Sequence, residues 1–216
     1  MVPMAIVRCN ETIVRCGNVR CNNRYALLNA FHYNPSPMPD VPHFQEAGRI
    51  NPVSSDDRMP EAVYSTALDF LVFACVDLVF THQHQILLAK RNTEPRSSWW
   101  IVGGRMAAGE APTTTAIRKA RQEAQLTNLD TDRFRCIGVY STCFATRRQA
   151  PKHHGSHSLN VTYQIELTAQ EKERVNLRSD EYDTWQWLDL ANVNSLLQSD
   201  DAIDQALLRV ISDLRK

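Results

Sequence analysis

The sequence predicts an α/β fold in which a mixed β-sheet packs between helices, preceded by an N-terminal extension. Apolar runs of strand length alternate with helical segments, without the strict strand–helix–strand order of a parallel sheet. The 216 residues suffice for one domain of ordinary size and an appendage. A composition of 43% hydrophobic and 22% charged residues is typical of a globular protein.

The first 59 residues are predicted to be an extension whose structure the sequence does not reveal, and 60–216 to be the domain. Prolines are frequent among the polar residues of 32–60, a pattern typical of an irregular connector. The domain is expected to begin with a helix, because Pro60 precedes apolar residues at helical spacing.

The remaining elements follow from apolar runs and breaks along the chain. The runs 74–80 and 85–90 predict a hairpin, and 99–102 predicts a short strand that ends in a Gly-Gly turn. Helices are predicted over 111–125 and from about Asp200, the latter capped by Ser199 or Asp200. Further strands are predicted over 135–144, 159–167 and 184–188.

Charge and cysteine content restrict the class of partner. Lys plus Arg and Asp plus Glu number 24 each, which argues against nucleic acid or an anionic membrane as the main partner. We find no apolar run near the roughly 20 residues that a membrane helix needs, and no secretory signal pattern. The six cysteines include no C-x-x-C pair. These features predict a cytoplasmic protein with reduced thiols.

Glycine gives the first indication of a site. The chain has seven glycines, and three of them, Gly103, Gly104 and Gly109, lie within seven consecutive residues. Glycine is favoured where the backbone bends sharply or approaches another group closely. The segment 99–126 is therefore the first place to look for chemistry.

The helix that follows places Lys119 and Glu123 four residues apart, on one face. Carboxylates on such a face bind hard divalent cations such as magnesium. Alternatively, the two residues form a solvent-exposed ion pair worth about 0.3–0.5 kcal/mol. Spacing alone does not decide between these interpretations.

The segment 99–126 resembles a Nudix box, whose pattern is G-x5-E-x7-R-E-U-x-E-E-x-G-U with U aliphatic. The positions that match are Gly104, Glu110, Arg118, Glu123 and Leu126. Three positions depart from it, because Lys119 and Gln122 replace glutamates and Gln125 replaces glycine. The resemblance implies a Nudix-type α/β/α sandwich, hydrolase activity, and a structural ion pair between Glu110 and Arg118.

Within that family, the chain is similar to GDP-mannose mannosyl hydrolases, which also lack the two helix glutamates. The likeness implies magnesium, with manganese as a substitute, held by Glu123 and the Gly104 carbonyl and by a third ligand left unassigned. It also implies that Arg91 and Arg105 contact the diphosphate and that Asp77 lies in the substrate pocket. In this chemistry water attacks the sugar carbon, and the metal and both arginines stabilise the departing diphosphate.

The same likeness implies a histidine base after the box, for which His153, His154 and His157 are candidates. His157 is favoured because the next predicted strand begins just after it. In two other interpretations, the histidines belong to a solvated loop without a specific role, or the basic residues of 147–152 attract the diphosphate.

The leading functional hypothesis is a magnesium-dependent hydrolase of a nucleoside-diphosphate sugar, GDP-mannose-like, that releases sugar and nucleoside diphosphate. One alternative is cleavage of a pyrophosphate bond in another nucleotide derivative. The other is a catalytically inactive nucleotide-binding protein, which the three departures from the box favour. The resemblance also allows a homodimer.

Overall fold

The structure is a computed structural model that describes residues 40–51, 53–54, 58–198 and 200–214. Most of the predicted N-terminal extension lies outside the described residues, as does Ser199, one of the two predicted helix caps. Of the extension, Asp40 contacts the domain, because its carboxylate accepts a hydrogen bond of 2.8 Å from the Tyr163 hydroxyl. In the described part of the chain we find no helix long and apolar enough to cross a membrane.

The helices and strands appear where the apolar patterns predict them, with shifts of a few residues at their ends. In chain order they are α1 (Glu61–Phe70), β1 (Phe73–His82), β2 (Gln85–Arg91), β3 (Trp99–Trp100), β4 (Val102–Arg105), α2 (Pro112–Ala124), β5 (Arg135–Phe144), β6 (Ser156–Glu166), α3 (Ala169–Arg174), β7 (Tyr182–Asp189) and α4 (Ala202–Asp213). Helix α3 is an addition to the prediction. Its signal is a capping box, in which Thr168 and Glu171 satisfy each other's backbone amides.

Strand β1 lies at the centre of the sheet. It pairs in parallel with β6 and antiparallel with β4, while its last residues pair antiparallel with β2. Strand β2 continues to β3 and β7, and β6 continues to β5, all antiparallel. The prediction of a mixed sheet in an α/β fold is therefore confirmed.

Helices cover the two faces of this sheet. Ala116, Ala120 and Ala124 of α2 are fully buried in one core cluster, which also contains Leu78 of β1. The next residue of β1, Val79, belongs to a second cluster that contains residues of α4. Because side chains alternate along a strand, the two helices pack against opposite faces of the sheet.

The Gly-Gly pair does not form the predicted turn. Gly103 and Gly104 lie within β4, opposite Asp77 and Val76 of β1. A Cβ atom on Gly103 would lie 2.9 Å from the Asp77 Cα and would also collide with the Val76 carbonyl. Glycine is needed here for close approach of two strands and not for a bend, so the prediction of a turn is wrong.

The C-terminal helix is capped by Asp201, one residue later than predicted. Its carboxylate accepts hydrogen bonds from the backbone amides of Ile203 and Asp204, at 2.8 and 2.9 Å. These bonds satisfy two amides that the first turn of a helix leaves without partners.

Gln125 ends α2 in the left-handed conformation, with φ of 59°. This is the position at which the box pattern has glycine, and a side chain there costs roughly 1–2 kcal/mol. We expect Gln125→Gly to raise the free energy of unfolding by about 1 kcal/mol, measured by urea denaturation. Arg121→Gly, at an exposed position inside the same helix, should instead lower it by about 1 kcal/mol. Equal effects of the two variants would contradict the backbone explanation.

Candidate active site

A cavity of about 280 Å³ opens among α1, β1, β2, β4 and β6. Its lining includes five residues that the sequence singled out, namely Asp77, Arg91, Gly104, Arg105 and His157. Small-molecule sites usually measure roughly 300–1,000 Å³, so this cavity is slightly smaller than that range. The fold thus brings residues from four strands to one place.

Among the arginines that line the cavity, Arg91 and Arg105 have few protein partners for the N–H groups of their guanidinium groups. The Arg105 guanidinium lies over the Tyr64 ring, 4.8 Å from its centre, and among the described residues it forms no ion pair. Arg91 lies 4.0 Å from the Glu181 carboxylate, and its Nε is buried without a hydrogen-bond partner. Guanidinium groups in this condition are suited to bind phosphate oxygens.

Two of the three other arginines on the lining are already neutralised, and the third, Arg148, is 64% exposed and lies 3.9 Å from the Glu61 carboxylate. Arg147 is buried and donates to the Asp69 carboxylate at 2.7 Å. Arg96 donates to Asp201 and Asp204 at 3.0 and 2.6 Å. Their positive charges are offset by protein carboxylates, which leaves Arg91 and Arg105 as the pair best placed for an anionic ligand.

Asp77 is a buried acid in the wall of this cavity. Burial raises the pKa of its carboxyl to about 6, although hydrogen bonds from Asn160 and Trp100 and the charge of Arg91 act in the opposite direction. The Asn160 amide donates to Asp77 Oδ2 at 2.6 Å. A carboxyl that titrates near neutrality in a cavity can exchange a proton with a bound ligand.

His157 is the predicted histidine that lines the cavity. It lies in β6 opposite Cys143, and its Nε2 is 2.8 Å from the Ser141 hydroxyl. His153 and His154 lie in a short 3-10 helix and are exposed. His154 Nδ1 is 2.9 Å from Asp69, which also binds Arg147.

Glu110 and Arg118 form an ion pair that joins the loop after β4 to α2. Arg118 Nη2 lies 2.6 Å from Glu110 Oε2, and each side chain is 11% exposed. Burial would raise the pKa of Glu110, but hydrogen bonds from Arg118, the Ala107 amide and Thr115 lower it to about 2. Arg118 also donates to the Arg105 carbonyl at 3.2 Å, so the pair holds β4 against the helix.

Glu123 and Gly104 come together, and the side chain of Lys119 lies between them. Lys119 Nζ is 2.9 Å from Glu123 Oε1 and 2.8 Å from the place that a Cβ on Gly104 would take. The ion pair is not solvent-exposed, because the Glu123 side chain is only 1% exposed.

Glu123, Lys119 and the backbone of Gly104 do not provide the coordination that magnesium requires. That ion needs near-octahedral oxygen coordination, usually from one or two carboxylates, waters and substrate phosphates. Within the described ranges, no three His, Cys, Asp or Glu side chains are grouped so that they could hold one metal ion. With the Lys119 ammonium bound to Glu123, the one carboxylate of α2, the arrangement does not fit a divalent ion.

Comparison with known proteins now identifies the family. The sequence profile of the NUDIX domain matches residues 71–210. The chain belongs to the NUDIX domain family. The prediction of a Nudix hydrolase domain is thereby confirmed. A search of curated proteins finds no match.

Solved structures that are similar to this chain are distant from it in sequence. The MutT NUDIX hydrolase from Burkholderia pseudomallei is 16% identical, with a TM-score of 0.51 over 67% of this chain and 98% of that one. The E. coli dihydroneopterin triphosphate pyrophosphohydrolase is 17% identical, with a TM-score of 0.49 over 66% and 96%. The C. elegans Ap4A hydrolase is 18% identical, with a TM-score of 0.45 over 68% and 100%. At these identities the likeness concerns the Nudix fold alone.

Asn160 is a candidate site residue that sequence reasoning missed, and Tyr182 is a buried polar residue opposite Arg91 in the sheet. Asn160 lines the cavity, and among the described residues its Oδ1 has no hydrogen-bond partner although its amide binds Asp77. Tyr182 belongs to the core and not to the cavity lining, and its hydroxyl has no partner in the described part of the chain. An unsatisfied polar group buried near a cavity indicates a place where a ligand or water completes the bonding. A local pattern does not mark either residue, since both are single polar residues within strands.

The buried charge of Asp77 makes a testable prediction about stability. Because the folded-state pKa of about 6 exceeds the ordinary value of 3.8, the unfolded chain holds fewer protons between these values, and stability falls as the pH rises through them. We expect Asp77→Asn to raise the free energy of unfolding at pH 8 by about 1–3 kcal/mol. At pH 4.5 the gain should fall to about a third of its size at pH 8, as urea denaturation at both pH values would reveal.

Asp69→Asn is the matched control for this prediction. Hydrogen bonds from Arg147 and His154 lower the pKa of Asp69, so its carboxylate stabilises the fold above its ordinary pKa. The same substitution there should reduce stability at pH 8. A similar loss for both variants would mean that Asp77 is not held at a cost in free energy.

Proposed function

We propose that this Nudix protein hydrolyses a nucleoside-diphosphate sugar, GDP-mannose-like, to sugar and nucleoside diphosphate. The observation that carries the proposal is the composition of the cavity. It combines Arg91 and Arg105 with the buried acid Asp77 and with His157. Nudix hydrolases act on small-molecule nucleotide substrates, which agrees with a cavity built for an anion.

The two arginines serve the leaving group. As the bond between sugar and diphosphate breaks, negative charge grows on the departing phosphate oxygens. Donors that are already in place stabilise that charge without reorganisation. Arg105 is held in place by the aromatic ring of Tyr64 and, through its backbone, by Arg118.

His157 acts as the base in this proposal. Its Nε2 is engaged by Ser141, and the described residues offer its Nδ1 no such partner. In the neutral tautomer whose Nε2–H donates to the Ser141 hydroxyl, Nδ1 carries a lone pair and takes a proton from the water that attacks the sugar carbon. Ser141 lies on the neighbouring strand, so the hydrogen bond restricts rotation of the ring.

The small number of carboxylates on α2 favours attack at the sugar carbon over attack at phosphorus. Phosphoryl chemistry in this family relies on several glutamates that hold metals and align water. Here α2 offers Glu123, which is covered by Lys119. Attack at the sugar carbon breaks a carbon–oxygen bond and leaves the phosphorus–oxygen bonds of the diphosphate intact. It therefore requires fewer carboxylates on α2.

The Lys119–Glu123 ion pair also favours a second candidate, a Nudix protein that binds a nucleotide without turnover. A binding protein needs Arg91 and Arg105 but no activated water. Saturable nucleotide binding without product formation, with magnesium, with manganese and with EDTA, would support this candidate over hydrolysis.

We expect the reaction in oxygen-18 water to place the label on the sugar, as detected by mass spectrometry after incubation with GDP-mannose and related nucleotide sugars. Label on phosphate would instead indicate pyrophosphate cleavage.

Arg105→Gln should lower kcat by roughly 10²–10³-fold, because one donor to the leaving group is lost.

His157→Gln should lower kcat by roughly 10²–10⁴-fold, as expected for loss of a general base. His153→Gln is the matched control, because His153 is exposed and does not line the cavity. Equal activity of the His157 variant and the His153 variant would contradict the role given to His157.

A further inference from the structure

We propose that Lys119 is the resident cation of this site, and that its ammonium group takes the place between Gly104 and Glu123 where the box pattern seats a divalent metal. The protein then binds no divalent ion at that place. The inference concerns metal binding and does not depend on whether the cavity catalyses hydrolysis.

The contacts of Lys119 are those of a bound cation. Its Nζ makes a 2.9 Å hydrogen bond to Glu123 Oε1, and the Glu123 carboxylate is almost completely shielded from water. A lysine that reaches a buried carboxylate four residues along the same helix needs no loop movement to do so. The Lys119 side chain is itself only 16% exposed.

Gly104 leaves the space that the ammonium uses. A Cβ at this position would approach Lys119 Cε to 2.7 Å and Nζ to 2.8 Å. The glycine therefore lets the lysine end lie against the backbone of β4. In the likeness stated above, the Gly104 carbonyl binds the metal, whereas here the Lys119 ammonium lies on the Cβ side of that glycine.

The charge of the helix face gives the second line of argument. The box pattern places three glutamates where this chain has Lys119, Gln122 and Glu123. The pattern therefore carries three negative charges, and this chain carries none in sum. A divalent ion is held by a surplus of carboxylate charge, and here no surplus is left for it to offset.

Glu123 has one oxygen without a partner, but that oxygen does not make a metal site. Its Oε2 is buried and accepts no hydrogen bond in the described structure. The Arg178 charge lies within electrostatic range of Glu123, which adds positive charge to that of Lys119. The Arg178 charge is itself paired with Asp180, at 3.0 Å from Arg178 Nε, so the nearest cation is Lys119. A dication there would share one carboxylate with an ammonium group that repels it.

The test measures metal binding directly, in the full chain without nucleotide. Mn²⁺ is titrated and its free fraction followed by electron paramagnetic resonance. The wild-type protein should show no site that involves Glu123. Lys119→Glu places a second carboxylate four residues from Glu123, so it should bind one Mn²⁺ at least tenfold more tightly than the wild type.

Arg121→Glu is the matched control, since it makes the same charge change at an exposed position of the same helix. It should leave Mn²⁺ binding within about twofold of the wild type. If Lys119→Glu gained no more affinity than Arg121→Glu, the proposal would be overturned. The proposal would equally fail if the wild type bound one Mn²⁺ that Glu123→Gln abolished.

A measurement on the wild type alone decides the matter should Lys119→Glu fail to fold. Bound Mn²⁺ broadens the nuclear magnetic resonance signals of nearby amides, so the signals of residues 103–105 report on this place. Unchanged signals at saturating Mn²⁺ support the proposal, and selective broadening overturns it. The absence of turnover would refute hydrolysis but would not move either readout.

Discussion

The site depends on the pairing of β1 with β4 on one side and with β6 on the other. The first half of β1 pairs antiparallel with β4, and β1 pairs along its length in parallel with β6. This places Asp77 opposite Gly103 on one side and next to Thr162 on the other. A slip of one residue would turn the Asp77 side chain to the other face of the sheet. The glycines of β4 make the close pairing possible, and the cavity follows from it.

The two buried acids of this region differ in whether a nearby cation pairs with their carboxylate. Glu123 receives a lysine at ion-pair distance, so its charge is compensated within the protein. Asp77 receives neutral donors from Asn160 and Trp100, and burial raises its pKa to about 6. Uncompensated buried charge costs stability, and sites that carry it are usually maintained for function. The contrast marks Asp77 as the acid available to a ligand and Glu123 as the acid already occupied.

Local patterns were sufficient to predict the elements but not their contacts. The strand predicted over 135–144 has the same bounds as β5, because its β-compatible residues are a local property of the sequence. The Gly-Gly pair was predicted as a turn, since only its tertiary pairing with β1 makes it a strand. Asp77, Arg91 and His157 came from resemblance to a family. Asn160 was missed because its role depends on the register between β1 and β6, which no local pattern contains.

The three departures from the box differ in physical consequence. Gln125 has a left-handed backbone conformation at the position where the box pattern has glycine, so it affects stability and not the site. Gln122 keeps an acceptor oxygen, which receives a 3.0 Å hydrogen bond from Arg118, and removes only the charge. Lys119 reverses a charge and puts the new cation on Glu123. Of the three, Lys119 has the largest effect on what the site is able to hold, because it both removes a negative charge and adds a positive one. Its replacement by glutamate is therefore the informative experiment, because it restores the carboxylate while the glycine cradle and the cavity arginines stay in place.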